Sequence, residues 1–186
     1  MFVEKYASRA LSLILITVAA LAVNTANAQI SYDYAELRYL SSDRGAADTD
    51  GIEIAGSYQF DEDWLVLGSY ASEGGDTDVD VFEVGVGYLL PDVEGINLMT
   101  SISILDIDVG NASENGFRLA LLGRKMLTEE LEGRASINYV DSFDTDLFFE
   151  LGVDYFITPR FAAGAELQIG SDTDTISIGG RWYFNN

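Results

Sequence analysis

Apolar and polar residues alternate with a period of two along most of the chain beyond residue 28. Ile52, Ile54 and Tyr58, for example, alternate with Glu53 and Ser57. Because successive side chains of a β-strand point to opposite faces, this pattern predicts strands with one apolar and one polar face. Seven segments show it clearly, namely 52–60, 82–88, 117–124, 134–139, 147–155, 161–169 and 176–184. Three further segments, 31–41, 64–72 and 96–105, alternate less regularly, which leaves their facing open.

The connections between these ten predicted strands alternate in character. Odd-numbered connections are rich in acidic residues and are predicted to be loops, at 42–50, 73–80, 106–115, 141–146 and 171–174. Even-numbered connections hold both prolines of the chain and are predicted to be tight turns, at 61–63, 91–95, 127–130 and 158–159. Strands joined in this order form an up-and-down antiparallel meander. We predict an all-β fold that closes into a barrel of ten strands, with eight strands as the alternative.

The two faces of the predicted strands carry different kinds of residue. The polar faces combine Gly, Ala and Ser with glutamates and arginines, whereas lysine is nearly absent beyond residue 28. Small residues and opposed charges suit a narrow lumen in which ion pairs satisfy one another. We therefore predict a salt-bridge network in the lumen. Its members are Glu53, Glu83, Arg118, Arg124, Glu132, Arg134, Glu150, Asp154, Glu166 and Arg181.

Aromatic residues lie near both ends of the predicted apolar faces. Two aromatic belts around an aliphatic band are typical of transmembrane β-barrels, whose strands of about 10 residues cross an apolar layer of about 25 Å. One belt, near the tight turns, comprises Tyr58, Phe60, Trp64, Tyr88, Tyr155, Phe156, Phe161, Trp182 and Phe184. The other, near the acidic loops, comprises Tyr70, Phe82, Phe117, Tyr139 and Phe149. We predict a transmembrane barrel, with a secreted acidic β-sandwich binding module as the alternative.

The first 28 residues have the pattern of a secretory signal peptide. Lys5 and Arg9 precede an apolar run at 10–23, and the small-residue segment 26–28, Ala-Asn-Ala, follows it. A membrane anchor is the alternative, but the apolar run is shorter than the roughly 20 residues that a spanning helix needs. The sequence therefore predicts a cleaved leader at 1–28 and a β-barrel domain at 29–186.

Composition excludes several kinds of chemistry. The chain has 31 acidic and 10 basic residues, a formal charge of −21, and neither histidine nor cysteine. A Ser-His-Asp triad, a cysteine nucleophile, a Cys/His zinc site and a disulfide framework are therefore impossible. The negative charge also argues against nucleic-acid binding, because affinity for nucleic acid depends on Lys and Arg that neutralise phosphates. We expect a protein that is not an enzyme.

Closely spaced aspartates recur in all five acidic segments. Asp76, Asp78 and Asp80 match ligand positions of an EF-hand loop, but Val81 and Gly87 occupy the positions where Gly and Glu are needed. We interpret the aspartates as a solvated acidic rim, with weak, shared binding of Ca²⁺ or Mg²⁺, bridging to lipopolysaccharide phosphates, as the alternative. The candidate ligands are Asp48, Asp50, Asp76, Asp78, Asp80, Asp106, Asp108, Asp144, Asp146, Asp172 and Asp174.

The leader, the alternation, the Gly-Ser-Tyr segments at 56–58 and 68–70, and the aromatic ending 180–184 together resemble small bacterial outer-membrane β-barrels of the OmpX and OmpA-transmembrane-domain type. The resemblance implies a place in the outer membrane, in contact with lipid and lipopolysaccharide. It implies that the chain ends and tight turns face the periplasm and that long loops face outward. It also implies that Gly180, Trp182 and Phe184 form a signal for the barrel-assembly machinery, to which periplasmic chaperones would deliver the chain. This ending departs from the family pattern in one respect, since Asn185 and Asn186 follow the last aromatic residue.

The role expected from these features is structural or surface-interactive. The glutamates and arginines of the lumen would then act as filling, because ten strands enclose little more than side chains. A narrow, cation-preferring pore is the alternative.

Overall fold

The computed structural model describes residues 30–45, 47–143, 145–171 and 173–184. The leader predicted at 1–28 lies outside the described residues, as do Asp144 and Asp172 of the acidic segments. The chain forms ten strands. They are β1 (Tyr34–Asp43), β2 (Asp48–Gln59), β3 (Trp64–Gly75), β4 (Val79–Val93), β5 (Ile96–Val109), β6 (Ala112–Met126), β7 (Leu131–Asp141), β8 (Thr145–Thr158), β9 (Phe161–Ile169) and β10 (Asp174–Tyr183).

Each strand pairs antiparallel with its neighbour in sequence, and β1 pairs with β10 to close the sheet. The closing register joins Tyr34 to Tyr183 at one end and Asp43 to Asp174 at the other. The predicted closed, up-and-down barrel of ten strands is confirmed. The eight-strand alternative is wrong, and closure of the sheet also excludes a sandwich.

The prediction of long acidic loops is wrong. Every connection is two to four residues long, at both ends of the barrel. Asp80 faces Asp108 and Asp106 faces Asn115 across continuous strand pairs, so β4, β5 and β6 extend through the predicted loops. The backbone of these segments forms the hydrogen bonds of paired strands, while the aspartate side chains remain in water.

We call the two ends of the barrel by what they carry. The acidic end has the connections 44–47, 76–78, 110–111, 142–144 and 170–173, and the terminal end has 60–63, 94–95, 127–130 and 159–160 together with residues 30–33 and 184. Pro91 was expected in a turn but lies in β4, between Leu90 and Val93, where the pairing register shifts. Proline is tolerated there because it has no amide hydrogen to lose from a ladder.

Aliphatic side chains cover the outside of the barrel. Ile54, Val84, Leu151 and Ile178 have 49–57% of their surface exposed. A continuous apolar surface of this extent is not stable in water and requires hydrocarbon around it. Among the described residues, none belongs to a helix that could cross a membrane.

The structure shows the facing of Leu65, which the sequence leaves open, and corrects the predicted facing of Phe156. Leu65 points inward and is fully buried, while its neighbours Trp64 and Val66 point outward. Phe156 was predicted in the aromatic belt beside Tyr155, but it points inward with 1% of its surface exposed. Two consecutive strand residues cannot share a face, so only one of this pair could join the belt.

Candidate functional site: the barrel lumen

The predicted lumen residues all point into the barrel. They are Glu53, Glu83, Arg118, Arg124, Glu132, Arg134, Glu150, Asp154, Glu166 and Arg181, each of which is buried or partly buried. Glu36 and Arg38 of β1 join them, although the sequence did not assign them to the lumen. The available signal was their spacing of two, with Leu37 and Tyr39 at the intervening outward positions.

A central layer of ion pairs crosses the lumen. The Arg38 guanidinium lies 2.8 Å from a Glu53 oxygen and 2.5 Å from a Glu166 oxygen. Arg134 lies between two acids, with its Nε 3.0 Å from Asp154 Oδ2 and its Nη1 3.2 Å from Glu166 Oε2. Each of these two guanidinium groups therefore pairs with an acid on a neighbouring strand and with Glu166 of β9, two strands away in the sheet.

Two further pairs extend this layer. Arg181 of β10 donates to Glu36 of β1, with Nη2 2.9 Å from Oε2, across the seam that closes the sheet. Arg118 lies 2.9 Å from Glu83. Glu150 accepts instead from the neutral donors Ser136 and Asn138, at 2.5 Å and 3.2 Å.

The lumen is filled at the terminal end. Arg124 and Glu132 form a two-pronged ion pair there, with Nε–Oε1 and Nη2–Oε2 distances of 2.6 Å and 3.0 Å, and both side chains have at most 1% of their surface exposed. Arg124 also donates to the Ser31 carbonyl at 2.8 Å and to the Tyr183 hydroxyl at 3.3 Å.

Residues 30–33 fold across this filled end. The Tyr32 ring lies 4.8 Å beneath the Arg124 guanidinium and packs with Leu65 and Met99. The Ser57 hydroxyl donates to the Tyr32 carbonyl, which fastens the segment to β2. Together with the buried Arg124–Glu132 pair, Leu65 and Phe156, this segment forms what we call the terminal plug.

The lumen narrows from the acidic end to the terminal end. A cavity of about 390 Å³ lies at the acidic end, one of about 150 Å³ lies beneath it, and one of about 50 Å³ lies against the terminal plug. Arg38, Glu53, Glu83, Arg118 and Glu166 line both of the larger cavities, so the central ion-pair layer forms the floor of the upper one.

Comparison with known proteins yields matches among solved structures only. No protein-family model matches the chain, and no curated protein does either. The β domain of the Bordetella autotransporter BrkA is 12% identical, with a TM-score of 0.50 over 81% of this chain and 98% of that one. The chain has a transmembrane β-barrel fold.

Two other solved structures are similar to this transmembrane barrel. A bacterial polysaccharide outer membrane secretin is 9% identical, with a TM-score of 0.50 over 84% of this chain and 67% of that one. The KdgM porin, solved in complex with disordered oligogalacturonate, is 10% identical, with a TM-score of 0.48 over 82% of this chain and 99% of that one. At these identities the likeness concerns the fold alone.

The candidate metal ligands of the transmembrane barrel are distributed around its acidic end. Asp48, Asp50, Asp106 and Asp108 point outward from the strands, and Asp43 faces Asp48 directly across the β1–β2 pair. The remaining described candidates, also at this end, are Asp76, Asp78, Asp80, Asp146 and Asp174. Within the described ranges, no group of three or more acidic residues is close enough to hold a metal ion.

The predicted assembly residues lie on the outward face of β10. Trp182 and Phe184 have about half of their surface exposed, and Gly180 occupies the same face two positions before Trp182. The Phe184 amide donates to the Asp33 carbonyl at 3.0 Å, so the aromatic ending is fixed beside the start of β1.

Proposed function

We propose that this chain is a non-enzymatic outer-membrane β-barrel that does not conduct solutes and that acts through its acidic end, which faces the cell exterior. The terminal plug is the observation that carries the proposal. Its central ion pair, Arg124–Glu132, is almost completely buried, and Leu65, Phe156 and Tyr183 around it have at most 1% of their surface exposed. A lumen packed in this way leaves no continuous water path at that end.

The charge of the acidic end supports a surface role. Arg44, the one arginine of the described residues in the connections of this end, turns inward and pairs with Glu73 at 2.8 Å. Outward carboxylates such as Asp48 and Asp106 would attract divalent cations and, through them, lipopolysaccharide phosphates. Their wide spacing favours weak, shared binding of Ca²⁺ or Mg²⁺ over a fixed metal site.

The surfaces of the chain support a place in the outer membrane and partners that are found there. The apolar exterior fits outer-membrane lipid, and the negative charge disfavours nucleic acid. The exposed aromatic ending of β10 is positioned to engage the barrel-assembly machinery before the seam with β1 closes, after delivery by periplasmic chaperones. The absence of histidine and cysteine from the sequence supports a role without catalysis.

Electrical recording tests the closed lumen. Purified protein inserted into planar bilayers is expected to give no discrete conductance steps, because the terminal plug blocks the lumen. A matched variant, Tyr32→Ala/Leu65→Ala/Met99→Ala, removes three packed side chains at that end and is expected to admit ions. Discrete steps from the unmodified protein would overturn the proposal.

A narrow cation-preferring pore is the second candidate. The three cavities follow one another along the lumen, and the two larger ones share their charged lining. Steps with a reversal potential that favours K⁺ over Cl⁻ would support this candidate.

A further inference from the structure

The cavity of about 390 Å³ at the acidic end has two unlike walls. We call this cavity the vestibule. Its apolar wall comes from β4, β5, β7 and β8 and carries Val79, Val81, Leu105, Ile107, Val140 and Phe148. Inward positions of transmembrane barrels are usually polar, because the lumen holds water or ion pairs. Leu105, Val140, Phe148 and Ile107 pack against one another, and the Arg118 guanidinium covers part of the Phe148 ring, 5.4 Å from its centroid.

The rest of the lining is polar and negative. The vestibule is lined by six carboxylates and only three guanidinium groups among the described residues. All three arginines are already paired, Arg38 with Glu53 and Glu166, Arg44 with Glu73, and Arg118 with Glu83. Asp146 and Glu150 are the two carboxylates of this lining that form no close ion pair among the described residues.

Glu150 lies where the apolar and polar parts of the lining meet, near enough to Arg38 to attract it but without a close ion pair among the described residues. It accepts hydrogen bonds from the neutral donors Ser136 and Asn138, and it forms no ion pair within the described part of the chain. Phe148 and Glu150 are successive inward positions on β8, so the charge lies at the foot of the apolar wall. A ligand that paired with the Glu150 carboxylate and also packed against the apolar wall would carry a positive group next to an apolar body.

A buried hydroxyl gives a second indication of a ligand. Ser177 lines the vestibule from β10 with 4% of its surface exposed, and its Oγ has no hydrogen-bond partner among the described residues. Buried polar atoms are normally paired, so an orphaned hydroxyl on a cavity wall marks a place for a hydrogen-bonding guest.

The acidic entrance of the vestibule also favours positively charged ligands. Connections of two to four residues leave the acidic end without long covering loops, and aspartates surround the opening. Such a ring raises the local concentration of cations. The volume of the vestibule is within the range of small-molecule pockets, about 300–1,000 Å³.

We propose that the vestibule binds a small organic cation with an apolar body, of the class of arylalkyl and alkyl amines. The ammonium group pairs with Glu150, and the apolar body lies against Ile107 and Phe148. This site goes beyond the non-conducting surface role and does not depend on it, because the vestibule lies above the central ion-pair layer whether or not the terminal plug is tight.

Isothermal titration calorimetry on the detergent-purified barrel tests the proposal, with 2-phenylethylammonium as the probe. Saturable binding is expected for this probe. Neutral 2-phenylethanol, anionic 3-phenylpropanoate and ethylammonium, which lacks the aromatic body, are each expected to bind at least about tenfold more weakly. Absence of saturable heat with the probe, or equal binding of the neutral alcohol, would refute the proposal.

Two lining variants locate the site. Glu150→Gln keeps the size and the acceptor oxygen but removes the charge, and is expected to weaken probe binding by about tenfold or more. Ile107→Thr adds a hydroxyl to the apolar wall and is expected to weaken binding several-fold. Glu62→Gln, at the exposed 60–63 connection of the terminal end, is the matched control and is expected to bind like the unmodified protein.

Folding of each variant is checked by its migration on gels with and without boiling. Undiminished probe binding by folded Glu150→Gln would overturn the assignment of the ammonium group. The comparison of the four probes on the unmodified protein keeps the proposal testable even if a variant fails to fold.

Discussion

At the scale of single residues, burial of the Arg124–Glu132 pair carries a cost in hydration free energy. Both groups lose their hydration, and their mutual hydrogen bonds, with those to Ser31 and Tyr183, offset that loss. Removing one residue of the pair leaves the other charged and buried without a partner. Replacing both by apolar residues leaves no buried charge that needs a partner.

We predict that Arg124→Ala lowers the free energy of unfolding by about 3–5 kcal/mol, because Glu132 is left buried without its cation. Urea titration in lipid vesicles, followed by the fluorescence of Trp64 and Trp182, measures the loss. Lys125→Ala, a neighbouring cation with an exposed side chain, is the control and should change stability little. The double variant Arg124→Met/Glu132→Met should lose less than Arg124→Ala. A double variant as unstable as the sum of two single losses would contradict this account.

The facing of the charged residues could be predicted from the sequence, whereas their partners could not. Alternation fixed which side of a strand Glu83 or Arg134 occupies, and it failed for Glu36 and Arg38 because the first strand has aromatic and polar residues on both faces. The pair Arg38–Glu166 joins positions 128 residues apart, and only the closed geometry brings them together.

At the scale of strands, the sequence predicts loops in two aspartate-rich segments where the structure has strands. Aspartate is depleted in strands because it competes for backbone hydrogen bonds, and this tendency suggested loops at 73–80 and 106–115. Alternation nevertheless continues through both segments, with Val79, Leu105 and Ile107 inward and Asp106 outward. A paired, half-apolar strand outweighs the local preference of its acidic residues.

The outward face of β2 offers a test of membrane depth. Ile54 lies in the apolar surface and Asp50 lies four residues away on the same face, near the acidic end. We predict that Ile54→Lys lowers the free energy of unfolding in lipid vesicles by about 2–4 kcal/mol, because a charge at mid-membrane depth loses its hydration. Asp50→Lys, in contact with water, should have a much smaller effect. Equal effects of the two substitutions would show that this face does not lie in hydrocarbon.

At the scale of the whole molecule, closure of the sheet follows from the hydrocarbon around its outer face. An open sheet edge in hydrocarbon would leave its backbone groups unpaired, so ten strands with an apolar outer face must join first to last. This argument, together with the count of alternating segments, made the architecture predictable. The cavity at the acidic end was not predictable, because two residues of its apolar wall, Val79 and Ile107, lie in segments where the sequence predicts loops.

We predict that the unboiled barrel in detergent migrates on gels differently from the boiled protein, because the closed sheet resists unfolding by detergent alone. Semi-native electrophoresis measures the shift. A truncated chain that ends before β10 is the comparison, since it lacks the strand that closes the sheet. Identical migration before and after boiling would contradict a closed barrel.

The seam between β1 and β10 has a consequence for biosynthesis. Glu36 belongs to the first strand, and its cation Arg181 belongs to the tenth, 145 positions later. A polypeptide that ends before Arg181 lacks the nearest cation of Glu36, whose other arginines, Arg38 and Arg134, lie 3.8 Å away, and it leaves the edge of β1 unpaired. Addition of the last strand therefore seals the sheet and completes the neutralisation of this carboxylate in a single step.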